Sequence, residues 1–284
     1  MKFKKKGDRE SISVLKKKWN RKKGFYSKIF SSTEMKASES LPDKPLTDTK
    51  LTRTKTNEYI LGVIEKAEIK RKKIIEGELP IRKAIFIDPG VKNFYTGYSI
   101  DTINEPSVVT IGKGCVTKIG RLLHYKNKLQ SKIAKSNSKR KYKLKRAFNR
   151  MSKRISNVVT ELHKKITKWL TDEYDAIYLP KLNFHNCKSK NKKTKQKFAT
   201  LRHCELFNRI QMKTCENQTC KLYEVNEAYT SKTCSKCGHI DNSLGSKDVY
   251  NCPKCKLKIS RDYNGAVNIL LRYVSMYVSQ IFKI

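Results

Sequence analysis

Four cysteines in two Cys-x-x-Cys pairs are the residues whose spacing most clearly implies chemistry. Cys234 and Cys237 form the first pair, Cys252 and Cys255 form the second, and fourteen residues separate the pairs. Thiolates at this spacing bind one Zn²⁺ tetrahedrally and close a zinc ribbon around it. Two disulfides are the alternative, but the sequence shows no secretory signal, and the reducing interior of a cell keeps such thiols free. We therefore expect a structural zinc ion, with Gly238 in a positive-φ turn after the first pair.

Three carboxylates form a second group of candidate ligands, because each stands at the end of a predicted element. Asp88 follows an apolar run typical of a buried strand, Glu227 follows another strand, and Asp262 begins the last helix. If they converge, their mutual repulsion favours bound cations, and Mg²⁺ suits a dense group of oxygen ligands. Two Mg²⁺ ions about 4 Å apart would activate a water and stabilise the leaving oxygen of a phosphodiester.

Each carboxylate also has a purely structural interpretation. Asp88 precedes Pro89-Gly90 and suits a turn, Asp262 suits the N-cap of its helix, and Glu227 alone carries little information. The 5 histidines stand in no recognisable nucleophile arrangement, so a Ser-His-Asp or Cys-His mechanism finds no support. From the residues alone, both interpretations of the carboxylates are open.

The candidate ligands depend on the elements that carry them, and the apolar pattern predicts an alternation of strands and helices. Runs rich in β-branched and aromatic residues predict five strands, at residues 84–87, 94–100, 107–111, 176–179 and 221–226. Helical spacing predicts a long basic stretch at 119–170 broken near 136–138, a helix at 198–212 after a basic loop at 188–197, and a closing helix from Asp262. This order predicts an α/β, RNase H-like fold, a mixed sheet flanked by helices with an inserted four-cysteine zinc ribbon.

The N-terminal part of the chain has a different composition. Residues 1–79 are basic, and we expect them to be partly disordered, with residues 31–56 forming a solvated segment without a packed core. Apolar residues at roughly helical spacing predict a short helix at 57–73. The expected domains are this N-terminal segment, a main domain at 80–228 and 259–284, and the zinc ribbon at 229–258.

The net charge of the chain implies a polyanionic partner. Lys and Arg number 64 against 25 Asp and Glu, which gives +39 at pH 7. This excess is larger than a solvated surface needs, and it favours nucleic acid. A membrane is the other common polyanion, but no stretch approaches the roughly eighteen uninterrupted apolar residues of a span. We expect no membrane partner and an intracellular protein, in the nucleus or cytoplasm of its host cell.

Several motifs together resemble a known protein family. They are Asp88-Pro-Gly, Tyr229-Thr-Ser-x-x-Cys-x-x-Cys-Gly, the Cys-Pro-x-Cys pair at Cys252, and Arg261-Asp-x-Asn-x-Ala-x-Asn-Ile-Leu. Over roughly residues 80–275 the chain resembles the C-terminal half of the transposon-encoded TnpB proteins, the OrfB zinc-ribbon family. The eukaryotic and viral Fanzor proteins share these motifs, and type V CRISPR effectors share the RuvC-like nuclease. The resemblance implies a transposon-associated, RNA-guided DNA endonuclease in which Asp88, a Glu and Asp262 bind Mg²⁺, with DNA and a guide RNA as partners.

The second carboxylate departs from the common pattern of that family. Most members have a Glu at the end of the fourth strand, but residues 177–183 of this chain contain no carboxylate there. Fanzor proteins and some bacterial relatives have a Pro in that strand and a Glu just before the Tyr-Thr-Ser motif. This chain has Pro180 and Glu227 at those places, so the resemblance assigns Glu227 as the ligand, with Glu224 as the second choice, and favours the Fanzor-like branch.

The N-terminal part also departs from the family. Only 87 residues precede Asp88, whereas family members usually have a much longer part that holds the guide RNA and reads the motif beside the target. We expect that part to be truncated or replaced, which puts guided targeting in question. Two further functions therefore stay open: a nucleic-acid-binding protein that does not cleave, and a decayed transposase remnant. The intact set of Asp88, Glu227 and Asp262 argues against the remnant.

Overall fold

The computed structural model divides the chain into two compact units. The first comprises Met1–Glu68 and Leu129–Lys153, and the second comprises Ile69–Lys128 and Arg154–Ile284. The residues that the structure describes are 10–20, 37–66, 82–90, 93–182, 191–216, 220–245 and 247–282. Among these residues there is no helix with the length and apolar character that crossing a membrane requires.

The first unit contains a three-stranded antiparallel sheet. Its strands are β1 (Glu10–Val14), β2 (Thr49–Arg53) and β3 (Tyr59–Gly62), with β2 in the centre, and a short 3-10 turn follows β1. An ion pair between Lys153 and Glu58, the residue before β3, lowers the pKa of the Glu58 carboxyl, chiefly through a hydrogen bond from Lys153. This pair links residues 129–153 to the sheet within the unit.

Two predictions for the N-terminal part were wrong where the structure describes it. Residues 49–53 were expected to lack structure and instead form β2, because strands on both sides satisfy its backbone hydrogen bonds. Residues 59–62 were expected to be helical and instead form β3. Their Tyr-Ile-Leu run is a good strand former, and a short apolar run does not distinguish helix from strand by its spacing. The rest of the predicted helix, residues 67–73, lies outside the described residues.

The second unit contains a five-stranded mixed sheet. Its strands are β4 (Lys83–Pro89), β5 (Tyr95–Asp101), β6 (Ser107–Ile111), β7 (Ala176–Pro180) and β8 (Lys221–Val225). They lie in the order β6-β5-β4-β7-β8, in which β5 is antiparallel to both of its neighbours and β4, β7 and β8 are parallel. A three-strand meander followed by two parallel strands is the RNase H-like topology, as the sequence predicted.

In the described part of the chain, five α-helices follow or interrupt this sheet. They are α1 (Cys115–Ala134), α2 (Ser138–Glu173), α3 (Lys192–Leu201), α4 (His203–Glu216) and α5 (Arg261–Phe282). The predicted break near 136–138 is confirmed. The predicted loop at 188–197 was wrong from Lys192 onward, because the Asn191 side chain accepts a hydrogen bond from the Lys193 backbone N–H and caps α3. The predicted helix at 198–212 is divided at Arg202, whose φ of 50° lies in the left-handed region.

Helix α5 packs on β4 and β5 and covers one face of the sheet. The core beneath it consists of Phe86, Ala176, Tyr178 and Ile269, and the Phe86 and Tyr178 rings stack with centroids 4.3 Å apart. Because side chains alternate along a strand, Asp88 points to the same face of β4 as Phe86, which is the face that α5 covers. The strand therefore delivers this carboxylate toward the helix that carries Asp262.

The four-cysteine segment forms a small hairpin module between β8 and α5. Its strands β9 (Val249–Asn251) and β10 (Lys258–Ser260) pair in antiparallel register. Tyr250 is fully buried, Leu244 is nearly so, and both pack against two of the four cysteines. Gly238 has a φ of +71°, which confirms the predicted turn after the first pair. A hydrophobic cluster this small gives limited stability by burial, and a metal bound by the four cysteines would add to it.

Candidate metal centres

The three predicted carboxylates come from three different elements of the second unit. Asp88 is the penultimate residue of β4, Glu227 lies two residues after β8, and Asp262 lies in the first turn of α5. Since β4 and β8 are parallel, their carboxyl ends meet at the same edge of the sheet. The fold therefore brings the two strand-end carboxylates together, and the packing of α5 on β4 adds the third.

The charges of these groups affect one another. The pKa of Asp88 is raised to about 8, first because burial disfavours the charged form and then because the carboxylates of Asp262 and Glu227 repel it. Arg261 acts in the opposite direction. Burial also raises the pKa of Glu227. A carboxyl with this pKa is mostly protonated at neutral pH unless a cation compensates its charge, which is the property expected of a cation ligand.

Two neighbouring residues hold the carboxylates in place. The Asn93 side-chain amide donates a hydrogen bond of 3.0 Å to Oδ2 of Asp262. Asn93 lies in the turn after β4, where the Gly90 backbone N–H donates to the Phe94 carbonyl. The turn that follows Asp88 therefore also orients Asp262, and the carboxylate of Asp88 itself lies against Gly265 of α5.

The three carboxylates are spread over a larger site than one that closely surrounds a single ion. In the described part of the chain, the four cysteines form the one group in which three or more candidate ligand atoms all lie within 4.8 Å of one another. Two Mg²⁺ ions about 4 Å apart need ligands spread over a longer distance. The donor set of three carboxylates, together with the raised pKa of Asp88, fits hard divalent cations such as Mg²⁺.

Position on the sheet distinguishes Glu227 from Glu224, the second choice. Tyr223 and Val225 of β8 pack against the core beneath α5. Glu224 stands between them, so it points to the opposite face of the sheet from Asp88 and is exposed. Glu227 lies beyond the end of the strand, and its charge acts on Asp88. The structure therefore brings Glu227, and not Glu224, to the side where Asp88 lies.

The four cysteines form the second candidate centre. Sγ of Cys234 lies 3.5 Å from Sγ of Cys255, and Sγ of Cys237 lies 3.6 Å from Sγ of Cys252. These distances are far longer than the roughly 2.05 Å of a disulfide. Tetrahedral thiolates at a Zn–S distance of about 2.3 Å are about 3.8 Å apart. The arrangement therefore fits a structural Zn²⁺ and excludes the disulfide alternative.

The backbone of the second cysteine pair favours a thiolate. The N–H of Cys255 donates to Sγ of Cys252 at 3.4 Å, and this hydrogen bond is the main cause that lowers the pKa of Cys252 to about 6. Burial has the opposite effect on Cys234 and raises its pKa to about 12. Cys234, Cys237, Cys252 and Cys255 would hold a zinc ion as thiolates, and the lowered pKa of Cys252 favours that form.

Sequence reasoning assigned no role to the residues that support the carboxylates. Asn93 and Gly265 contact Asp262 and Asp88 directly, and Asn264 and Asn268 bind the cysteine segment. Three of the four lie within the motif that follows Arg261, so the family motif contained the information. Their roles depend on which carbonyl or carboxylate each side chain faces, which spacing alone does not show.

Comparison with known proteins gives matches that agree with this fold. Residues 203–269 match the family described as Cas12f1-like, TNB domain. TnpB-like protein L79 of Acanthamoeba polyphaga mimivirus is 30% identical over 271 residues, which cover 92% of this chain and 49% of that protein. A CRISPR-associated endodeoxyribonuclease Cas12f1 of an uncultured archaeon is 35% identical over 74 residues, 24% of this chain and 14% of its own length.

Among solved structures, a cryo-EM structure of a CRISPR-Cas12f ternary complex is 22% identical. The alignment covers 78% of this chain and 45% of the Cas12f chain, with a TM-score of 0.48. The chain spans about half the length of the mimivirus relative, 49%.

The fold and the two centres define an RNase H-like protein with an inserted four-cysteine ribbon. The sequence matches run through this domain and ribbon and extend over most of the chain. Over most of its length the chain is similar to the TnpB-like proteins, as its motifs predicted.

Proposed function

We propose that this protein is a Mg²⁺-dependent endonuclease that cleaves DNA at the carboxylates of Asp88, Glu227 and Asp262. The observation that carries the proposal is that β4, the end of β8 and α5 bring three carboxylates to one side of the sheet. Burial, and then the charges of the two other carboxylates, raise the pKa of Asp88, which agrees with this placement. Three carboxylates on one side of a sheet repel one another, so bound cations would stabilise this arrangement.

The roles of the residues follow from their positions. Asp88 and Asp262 approach from β4 and α5, which pack together, while Glu227 approaches from beyond β8. Asn93 holds Asp262 through its hydrogen bond, and Gly265 leaves space for the carboxylate of Asp88. Mg²⁺ bound by these groups would activate a water and stabilise the leaving oxygen of a phosphodiester. The protein then needs no side-chain nucleophile.

Nucleic-acid partners are supported by charge. Residues 138–160 of α2 contain nine Lys or Arg and no Asp or Glu, and the chain carries +39 overall. Such a surface binds phosphates and positions a strand without reading its sequence. We propose that DNA is the substrate and that a guide RNA selects the target, as the relatives named Cas12f1 suggest by their association with CRISPR. The domain boundaries, the Fanzor-like branch and the intracellular location stay predictions.

One experiment separates cleavage from binding. The protein is purified from cells that express its native locus, any co-purifying RNA is sequenced, and the particle is incubated with a library of DNA targets and Mg²⁺. We expect a discrete RNA and Mg²⁺-dependent cleavage that Asp88→Ala abolishes. The matched control is Asp172→Ala, which changes an exposed carboxylate of α2 and should cleave like the wild type.

The outcomes distinguish the functions that the sequence left open. Nucleic-acid binding with no cleavage by the wild type would replace the proposal with a non-cleaving binding protein. Cleavage that survives Asp88→Ala would move the active site elsewhere. Cleavage without any bound RNA would support the proposed nuclease activity and contradict the proposed guide RNA.

A further inference from the structure

Two buried asparagines of α5 bind the segment that leads into the zinc ribbon. Asn264 is 0% exposed and Asn268 is 4% exposed. The Asn264 side chain accepts from the Ser235 backbone N–H at 3.0 Å and donates to the Thr233 carbonyl at 2.7 Å. Thr233 and Ser235 flank Cys234, so Asn264 is hydrogen-bonded to the backbone on both sides of a proposed zinc ligand.

Asn268 extends this contact by one turn of the helix. Its amide donates to the Thr233 carbonyl at 2.6 Å and to the Thr230 carbonyl at 2.8 Å. The side chain therefore satisfies two carbonyls of this turn, and its bond to Thr230 is buried. Arg272, one further turn along, donates to the Ala228 carbonyl at 2.7 Å. The helix thus holds residues 228–235 along a continuous line.

The same segment is connected to Glu227. Both the backbone N–H and the hydroxyl of Thr230 donate to the Glu227 carbonyl, at 3.2 and 2.8 Å. Thr230 is 3% exposed, so these bonds are shielded from water and are costly to break. Asn268 is therefore linked to the backbone of Glu227 through one buried residue, Thr230. Asp262 lies two residues before Asn264 on the same helix.

We propose that Asn264 and Asn268 are positioning residues that set the separation between Glu227 and Asp262 by fastening the ribbon entry to α5. The inference rests on the proposed function of the carboxylates and deepens it. Zinc anchors Cys234, the asparagines anchor the residues around Cys234 to the helix, and the helix carries Asp262. The structural zinc and the catalytic cations are therefore coupled through hydrogen bonds and not through a shared ligand.

A purely structural role makes a different prediction. If the asparagines only attach the ribbon, their removal lowers stability or releases zinc and leaves cation binding at the carboxylates unchanged. If they position the carboxylates, cation affinity falls while zinc is retained, because the four thiols are untouched. Loss of supporting partners around a metal site typically weakens metal affinity about 10- to 100-fold.

The test measures two metals on the full chain, purified free of nucleic acid at high salt. Zinc content is determined by mass spectrometry, and Mn²⁺ binding is followed by electron paramagnetic resonance as a substitute for Mg²⁺. Mn²⁺ binding that disappears in Asp88→Ala is assigned to the carboxylates. The variants are Asn264→Ala and Asn268→Ala, and the matched control is Asn242→Ala, an exposed asparagine of the same ribbon.

We expect both variants to keep one zinc per chain and to bind Mn²⁺ at least about tenfold more weakly, while Asn242→Ala binds as the wild type does. Unchanged Mn²⁺ affinity, or loss of zinc together with Mn²⁺, would overturn the positioning role. Should Asn264→Ala lose its far-UV circular dichroism, Asn268→Ala decides, since it leaves the two Asn264 bonds, to Ser235 and Thr233, in place. A wild-type protein without Asp88-dependent Mn²⁺ binding would instead refute the proposed nuclease function.

Discussion

The carboxylate of Asp88 occupies the space that a side chain at Gly265 would fill. A Cβ added at Gly265 would lie 2.5 Å from Oδ2 and 3.0 Å from Cγ of Asp88. Gly265 is in the second turn of α5, and helix interiors disfavour glycine by about 1 kcal/mol relative to alanine. The glycine therefore has a steric reason at this position, where β4 presents the Asp88 carboxylate to the helix.

Replacement of Gly265 by alanine is expected to move the Asp88 carboxylate and weaken the cation site. The new methyl group meets the end of the Asp88 side chain, so that side chain can move aside. The gain in helix propensity offsets the remaining strain. We expect thermal stability to change by less than about 1 kcal/mol while Asp88-dependent Mn²⁺ binding falls at least about tenfold.

The control is Gly120→Ala in α1, where the nearest atom to the new Cβ is the Lys197 Cε at 3.4 Å. It should gain helix propensity without a change in Mn²⁺ binding. Equal Mn²⁺ affinity in Gly265→Ala and the wild type would show that the close contact has no functional consequence.

Substitution of Glu227 by glutamine is expected to abolish cleavage, whereas Glu224→Gln should leave it unchanged. The first removes a proposed ligand whose charge acts on Asp88, and the second changes an exposed side chain on the opposite face of β8. Because removal of outer partners already costs about 10- to 100-fold, loss of a direct ligand should cost at least about 100-fold. Cleavage rates measured at saturating Mg²⁺ decide between them. If Glu224→Gln loses cleavage and Glu227→Gln does not, Glu224 replaces Glu227 as the proposed cation ligand.

Replacement of Cys252 by serine should release zinc and unfold the ribbon. A backbone N–H favours the thiolate of Cys252, and structural zinc sites supply much of the folding free energy of such modules. We expect zinc content to fall from one per chain to near zero and proteolysis to cut within residues 229–258. Cys215→Ser, which changes an exposed cysteine of α4, should keep zinc. Full zinc retention by Cys252→Ser would contradict the four-cysteine site.

Substitution of His203 by phenylalanine is expected to make the protein more resistant to acid. Burial lowers the pKa of His203 to about 3, and within the described residues neither ring nitrogen has a hydrogen-bond partner. The ring stacks on Phe94 with centroids 5.1 Å apart. Since the folded pKa lies below the unfolded value near 6.5, the neutral ring stabilises the fold above that pH. This contribution is lost as the pH falls toward 3.

The expected size of the effect follows from the two pKa values. Between pH 8 and pH 5 the wild type should lose about 2 kcal/mol through His203 alone, and His203→Phe should lose that much less. Urea unfolding at both pH values measures the difference. His124→Phe, at an exposed position of α1, is the control and should match the wild type. An equal loss in His203→Phe and the wild type would show that this ring does not report acid unfolding.

The central sheet was predictable because its inner strands β4, β5 and β7 are largely buried. Runs such as Ala84-Ile-Phe-Ile have no helical alternative of sufficient length, and turn residues bound them. The ribbon was predictable because metal-ligand spacing is a strict geometric requirement. The sheet of the first unit was not predictable, since β2 is a polar Thr-Lys-Leu-Thr-Arg strand whose stability comes from the two strands that pair with it.

The ligands of the site were predictable from the sequence, but the residues that hold those ligands in place were not. Asp88 and Asp262 stand at element ends, where a sequence pattern can find them. Asn93 is 169 residues from the carboxylate to which it donates, and nothing local distinguishes it from an ordinary turn asparagine. Contacts of this kind depend on how α5 packs against β4, so they appear only once the tertiary structure is known.

The position of α5 in the chain has a consequence for protein synthesis. The sheet needs β7 and β8 to pair beside β4 across a long stretch of chain, which is a slow step. The helix that brings Asp262 to Asp88 follows all of these strands, so a ribosome must translate beyond it before the three carboxylates can meet. A nascent chain interrupted before α5 lacks Asp262, so the three carboxylates cannot assemble in it.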